Sequence, residues 1–319
     1  MRDYRVLVLN APHRMMRLNN RPGFRFFTVA ERDDENSRAK GYQSYYARAV
    51  AYIKPDFIVF VNAGCSEQLC EQWLHNTSLK AGVQVITWST DSYRHTRPVR
   101  NSTIHFSGIY DEATAEYDNH LPLYGHPLGF LPLAERAFNF GILWRDYSFS
   151  GAHRDYRRKL IRSCTHLDFD GSTSQKTYNK VLSNFRFGLN VSVYPDSMAN
   201  FRSFELLGSG VMPVCPIDTR TQLTPLFGEH TLFFSDPAEI PELLKANENY
   251  DPEKLLNHLA HNHTINHRFK TIFEDYFGLK YPIIPADSAW CDPMQQRAPT
   301  HFFTPPKKAA YTRFARGQA

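Results

Sequence analysis

Pro195–Pro216, PDSMANFRSFELLGSGVMPVCP, is the stretch whose reading decides the fold. An apolar run, Phe187–Val193, leads into a polar, small-residue loop, Pro195–Asn200. A short amphipathic stretch follows, Phe201–Leu207, carrying Arg202 and Glu205. It stops at Gly208, passes through Ser209 and Gly210, and re-enters an apolar run at Val211–Val214. Strand, loop, helix, glycine stop and strand is the grammar of a parallel α/β sheet.

The same stretch suggests a chemistry. A helix N-terminus offers N–H groups and a partial positive charge to an anion. The dipole supplies only about 0.3–1 kcal/mol, or ~2 kcal/mol when partly buried. A diphosphate therefore also needs arginine, whose charge-assisted bonds add roughly 1.5–3 kcal/mol each. Arg202 is placed for that, with Ser203 beside it, and Glu205 one turn on could accept bonds from two ribose hydroxyls. The letters equally fit a surface ion pair at i,i+3 beside a helix C-cap glycine. The rest of the chain favours the first reading.

With 319 residues, the chain is long enough for two α/β domains. Its 42% hydrophobic and 22% charged residues exclude a disordered chain. There is no apolar run of about 18 residues to span a membrane, and the N-terminus lacks a signal peptide's apolar core. The expectation is a cytoplasmic protein. Five scattered cysteines without a CxxC pair argue against a disulfide framework or a structural zinc site. The net charge of +5 is concentrated in Arg5–Arg25 and beyond Asp292, which hints at an anionic partner.

Taken in order, Tyr4–Asn10 reads as a buried strand. The loop 11–27 carries His13, Arg14, Arg17 and Arg21 among phenylalanines, a mixture suited to phosphate contact and stacking. These four residues are the acceptor-side candidates. A helix is expected at Gly41–Lys54, and strands at Asp56–Asn62, Val83–Ser89, Thr103–Phe106 and Leu128–Leu131. Asp91 and His95 stand beyond the carboxyl end of the Val83–Ser89 strand, where open α/β sheets bind ligands. Asp91 is the first candidate for a general base and His95 the second. The domain boundary is expected near Arg136–Arg145, giving domains 1–137 and 138–277 and an irregular basic tail, 278–319.

The second half continues with a strand at Asp146–Phe149, a basic helix at Arg154–Cys164, a strand at Leu167–Asp170 and a helix at Ser174–Asn184. After the opening stretch come a short helix near Thr219–Phe227, a strand at Thr231–Phe234 and one long helix from Asp251 to about Phe277. Asp168-Phe169-Asp170 spells DxD, a metal-binding pattern that is short and sits in a small strand. His258, His261, His263 and His267 lack a completing carboxylate or cysteine and read as a polar helix face, so no metal is expected.

Four segments of the second half resemble the spore-protein CgeB type of glycosyltransferase, of GT-B fold. They are Leu128–Leu133 with SFSGAHRDYRR (148–158), YNKVLSNFRFGLN (178–190), FRSFELLGSGVMPV (201–214), and His263-Thr264 with His267-Arg268. The resemblance covers about 126–277; before it, only strand rhythm and the Trp88–Asp91 turn are similar. It implies two facing Rossmann-like domains, with the donor on the C-terminal one and the acceptor on the N-terminal one. Arg202 and Glu205 would hold pyrophosphate and ribose. Gly151 would admit the donor, with Arg154, Arg157 or Arg158 near its phosphates, and Arg154 and Lys159 echo a basic pair at the leaving diphosphate. Such fixed cations stabilise the departing negative charge without a metal or cofactor. The donor would be a nucleotide-diphosphate sugar, a UDP-sugar foremost. Two alternatives stand beside this reading: a hydroxylated nucleobase in DNA as the acceptor, with steep salt dependence, or a non-catalytic binding module of the same fold.

Overall fold

Val6, Leu7, Val8 and Leu9 are wholly buried, as a strand covered on both faces requires. This strand is the second in the sheet of the first unit. A computed structural model describes residues 2–11, 18–30, 41–61, 82–90, 102–108, 119–144, 152–172, 178–191 and 200–288. The strands of the first sheet are β1 (Tyr4–Ala11), β2 (Phe24–Ala30), β3 (Phe57–Val61), β4 (Gln84–Ser89), β5 (Ile104–Ser107) and the short β6 (Asn119–His120). Their order is β2-β1-β3-β4-β5-β6, and the pairs from β2 to β5 are parallel. Helix α1 (Gly41–Ile53) covers one face, packing Tyr46, Ala49 and Ile53 on Leu7, Leu9, Ile58 and Phe60.

The second sheet holds β7 (Phe138–Trp144), β8 (Phe169–Ser172), β9 (Phe185–Leu189), β10 (Met212–Pro216) and β11 (Leu232–Phe234), in the order β11-β10-β9-β7-β8. All four pairings are parallel. Between the strands run α2 (Ala152–Ser163), α3 (Tyr178–Leu182), α4 (Phe201–Gly208) and α5 (Arg220–Phe227). They are followed by α6 (Ile240–Ala246), α7 (Pro252–Asn262) and α8 (Ile265–Thr271). Side chains alternate across the sheet. Phe140, Ile142, Met212 and Val214 enter one core, while Leu143 and Val211 enter another with Tyr178, Leu182 and Leu206. Counted within each unit, the first sheet has the order 2-1-3-4-5-6 and the second 2-1-3-4-5. Each therefore has a switch point between its first and third strands, where chain connections leave in opposite directions.

The two α/β units expected from the sequence are present, with four differences in detail. First, the expected loop 11–27 contains the start of β2. Phe24 and Phe26 are buried while Arg25 points outward to Asp3 at 2.8 Å, an alternation that an edge strand accepts. Second, β7 lies where a boundary was expected; the Asp146–Phe149 strand falls outside the described residues. Third, the compact units divide between Asn119 and His120. The stretch 121–136 is built into the second unit and forms no ladder at Leu128–Leu131. The Gly125 and Leu128 N–H groups donate to His263 O and Gly208 O at 2.9 and 2.7 Å. Arg136 ties its end down through Nη1 bonds to Phe185 O and Gly210 O at 2.7 and 2.8 Å.

Fourth, the expected long last helix is broken after Asn262. Thr264 is extended, forms a parallel bridge with Gly125 and caps α8 with His267. The helix thus yields one residue pair to receive the crossing chain. No helix among the described residues is long and apolar enough to cross a membrane.

Candidate functional site

At position 188 an added Cβ would lie 2.2 Å from Leu206 Cδ2, so glycine there lets α4 settle directly on β9. Asn200 caps the helix, its Oδ1 accepting from Ser203 N at 3.1 Å. After Ser209 the chain turns through Gly210 at φ +63, a left-handed conformation that glycine adopts without strain, and enters β10. This local geometry sets the first turn of α4 beside the carboxyl ends of β7 and β9, at the switch point of the second sheet.

Arg202 reaches across that point. Its Nη1 donates to the carbonyl of Leu143, near the end of β7. Its Nε approaches Glu205 Oε2 at 3.3 Å, with side-chain exposures of 19% and 13%. The alignment makes this an ion pair, not a straight hydrogen bond. The guanidinium also lies over the Tyr178 ring, 5.3 Å from its centroid, and Tyr178 Oη donates to Glu205 Oε2 at 2.7 Å. The i,i+3 pair legible in the sequence is therefore formed, but it is mostly buried instead of lying on an open surface. Among the described residues, Arg202 Nη2 has no bonded partner, which leaves one edge of the fork for a ligand.

Ser203 is wholly buried behind this turn. Its hydroxyl accepts from Asn190 Nδ2 at 2.7 Å and lies 3.4 Å from Asn200 Oδ1. Ser203 therefore joins the helix to the end of β9 and is not a ligand-facing group. Asn190 and Tyr178 are the members that residue-by-residue reasoning missed. Tyr178 stands 27 positions from Glu205, and no sequence period links them; Tyr178 opens and Asn190 closes a segment noted only for its resemblance.

Asp91, His95, His13, Arg14, Arg17 and Gly151 lie outside the described residues. Arg154 and Arg157 are in α2, their side chains outside the description. Arg158 is exposed alongside Lys159 and Arg162, on the solvent side of α2. Arg21 does not present itself to an acceptor. It precedes β2 at the amino edge of the first sheet and is buried. Its Nε and Nη2 turn back to Asn19 O at 3.3 and 3.2 Å, and its guanidinium lies over Phe26. Ligands in open α/β sheets meet the opposite, carboxyl edge.

Of the four histidines expected on a polar face, His261 is exposed and His258 and His267 are half-buried, but His263 departs from it. His263 is 7% exposed. Its Nε2–H donates to Leu226 O at 2.6 Å and its Nδ1 accepts from Arg268 Nη2, 2.8 Å away, which identifies the neutral tautomer. Burial first, then the Arg268 charge, push its pKa down to about 3. The same causes push His267 down to about 4, and its Nδ1 is held by Thr264. Asp168 Oδ2 accepts the Asn139 and Phe140 N–H groups at 2.8 and 3.0 Å, bracing the amino end of β7. No cluster suited to a metal ion occurs among the described residues.

Residues 130–274, a little under half of the chain, match the glycosyl transferase-like family. No curated protein matches. Among solved structures, the chain is similar to AviGT4, a glycosyltransferase involved in avilamycin A biosynthesis. The identity is 14% over 86% of this chain and 96% of that one, with a TM-score of 0.51. It is also similar to a glycosyltransferase from Rickettsia africae, at 10% identity over 87% of this chain and 99% of that one, with a TM-score of 0.50. At such identities the likeness is one of fold, and the fold is that of two Rossmann-like parallel sheets of GT-B type.

Proposed function

We propose that this GT-B-fold chain, glycosyl transferase-like over residues 130–274, moves a sugar from a nucleotide-diphosphate sugar to an acceptor hydroxyl. The observation that carries the proposal is the half-buried Arg202–Glu205–Tyr178 cluster. It stands at the switch point of the second sheet, inside the matched region, with one guanidinium edge unbonded by any described residue. Arg202 binds the diphosphate and Glu205 the ribose, and Arg154 and Arg157 of the basic helix α2 add charge. As the sugar–phosphate bond breaks, negative charge grows on the diphosphate, and these cations lower the barrier without a metal.

The acceptor oxygen forms the new bond to the sugar and gives its proton to Asp91, or to His95 in its place. Both follow β4 in the sequence, and the carboxyl end of that strand is where open α/β sheets bind ligands. Ser89 and Thr90 there bury hydroxyls that have no hydrogen-bond partner among the described residues, and these polar groups suit a hydroxylated ligand. A UDP-sugar donor and the CgeB-type subfamily belong to the same proposal and rest on the four sequence segments.

The test is donor turnover with UDP-, GDP-, ADP- and dTDP-sugars. Arg202→Ala and Glu205→Ala should each lower kcat/KM for the accepted donor by about 10- to 150-fold, the equivalent of about 1.5–3 kcal/mol. Full turnover in both variants would remove the donor-site assignment. No turnover or binding by the unaltered protein would favour a non-catalytic module.

A further inference from the structure

We propose that Tyr178 is a positioning residue that keeps Arg202 available to the donor's diphosphate; the inference rests on the donor-site reading above. Tyr178 opens α3 and is 2% exposed, packed with Leu143, Leu182, Phe185, Leu206 and Val211. Packing alone would be satisfied by phenylalanine. The hydroxyl instead points at a charged group, donating to Glu205 Oε2 at 2.7 Å.

That oxygen is also the one facing Arg202 Nε at 3.3 Å. Tyrosine and arginine thus compete for a single carboxylate oxygen. The hydroxyl bond is short and direct, whereas the guanidinium makes an ion-pair approach with no straight hydrogen bond from Nε. Meanwhile the Tyr178 ring supports the guanidinium face, and the Leu143 carbonyl fixes Nη1. One side chain therefore holds the carboxylate partly off the cation and holds the cation in place. Without the hydroxyl, Oε2 can turn fully to Arg202 and neutralise the charge that a phosphate must find. A fork already fixed in its binding conformation gives up less freedom when the ligand arrives.

Calorimetric titration of the full chain with UDP, GDP, ADP and dTDP tests this, using wild type, Tyr178→Phe, Glu205→Gln and the double variant, with Tm measured in parallel. Tyr178→Phe should keep a Tm near that of wild type and raise the nucleotide Kd about tenfold. In the Glu205→Gln background the same change should have little further effect, because no carboxylate charge remains to be restrained. An unchanged Kd in Tyr178→Phe would overturn the proposal, as would an equal loss in both backgrounds. Should affinity fall only in step with Tm in Tyr178→Phe and Tyr178→Leu alike, packing alone is the role and the inference is overturned. Failure of the wild type to bind any of the four overturns the donor-site reading itself, an outcome distinct from the others.

Discussion

At position 208 a single methyl group would meet the carbonyl oxygen of His126 at 2.3 Å. That carbonyl belongs to the chain crossing from 121 to 136, whose Leu128 N–H donates to Gly208 O at 2.7 Å. Backbone cannot move aside as a flexible side chain can. Gly208→Ala should therefore destabilise by about 1–3 kcal/mol, the usual cost of overpacking, read as a lower urea midpoint; an unchanged midpoint would mean that the crossing chain does not lie there. The sequence marks Gly208 only as a helix stop, and this second duty is set by a segment some eighty residues earlier. The Arg202–Glu205 pair is the opposite case. Its members sit one helical turn apart, so their meeting was legible, whereas their burial and their tyrosine partner depend on elements far away in the chain.

For whole elements, the cap of α4 separates stability from binding. Asn200→Ala removes the side-chain acceptor for Ser203 N and should cost about 1 kcal/mol. Asn200→Asp keeps a good cap but puts a negative charge beside the proposed diphosphate. It should hold Tm near wild type while raising the nucleotide Kd severalfold; a Kd rise in the alanine variant alone would place the ligand elsewhere. Element by element, the sequence revealed those strands whose apolar runs are continuous, such as β3, β4 and β10, because both faces are buried. It concealed β2, where Arg25 interrupts the phenylalanines, and β7, whose Asn139 and Gly141 dilute the run. The break after Asn262 was also hidden, since His263-Thr264 looks as helical as its neighbours until Gly125 is placed against it.

Across the second unit, one buried and one half-buried histidine tie stability to pH. His263 and His267 have folded pKa values of about 3 and about 4, against about 6.5 for an unfolded histidine. Above pH 6.5 neither state binds the proton and the full stability is present. Below it the unfolded chain takes up protons that the native chain refuses, so stability falls as pH drops toward the folded values. The slope is at most about 1.4 kcal/mol per pH unit for each histidine. Urea midpoints should be level from pH 8 to 7 and decline from 6.5 to 5. His263→Gln, which can still donate to Leu226 O and accept from Arg268, should decline less steeply. A midpoint that stays level down to pH 5 would contradict these protonation states. Arg268 carries a further consequence, for the making of the protein. Its Nε reaches back to the carbonyls of Pro122 and Leu123, 146 and 145 residues earlier. At about 5–20 residues per second, a ribosome takes roughly 7–30 s to deliver the second half of that contact. Throughout that interval Leu123 waits for the residue that holds its carbonyl and for its core partners Phe204 and Leu259, so this corner of the second unit closes only after most of the unit has been made.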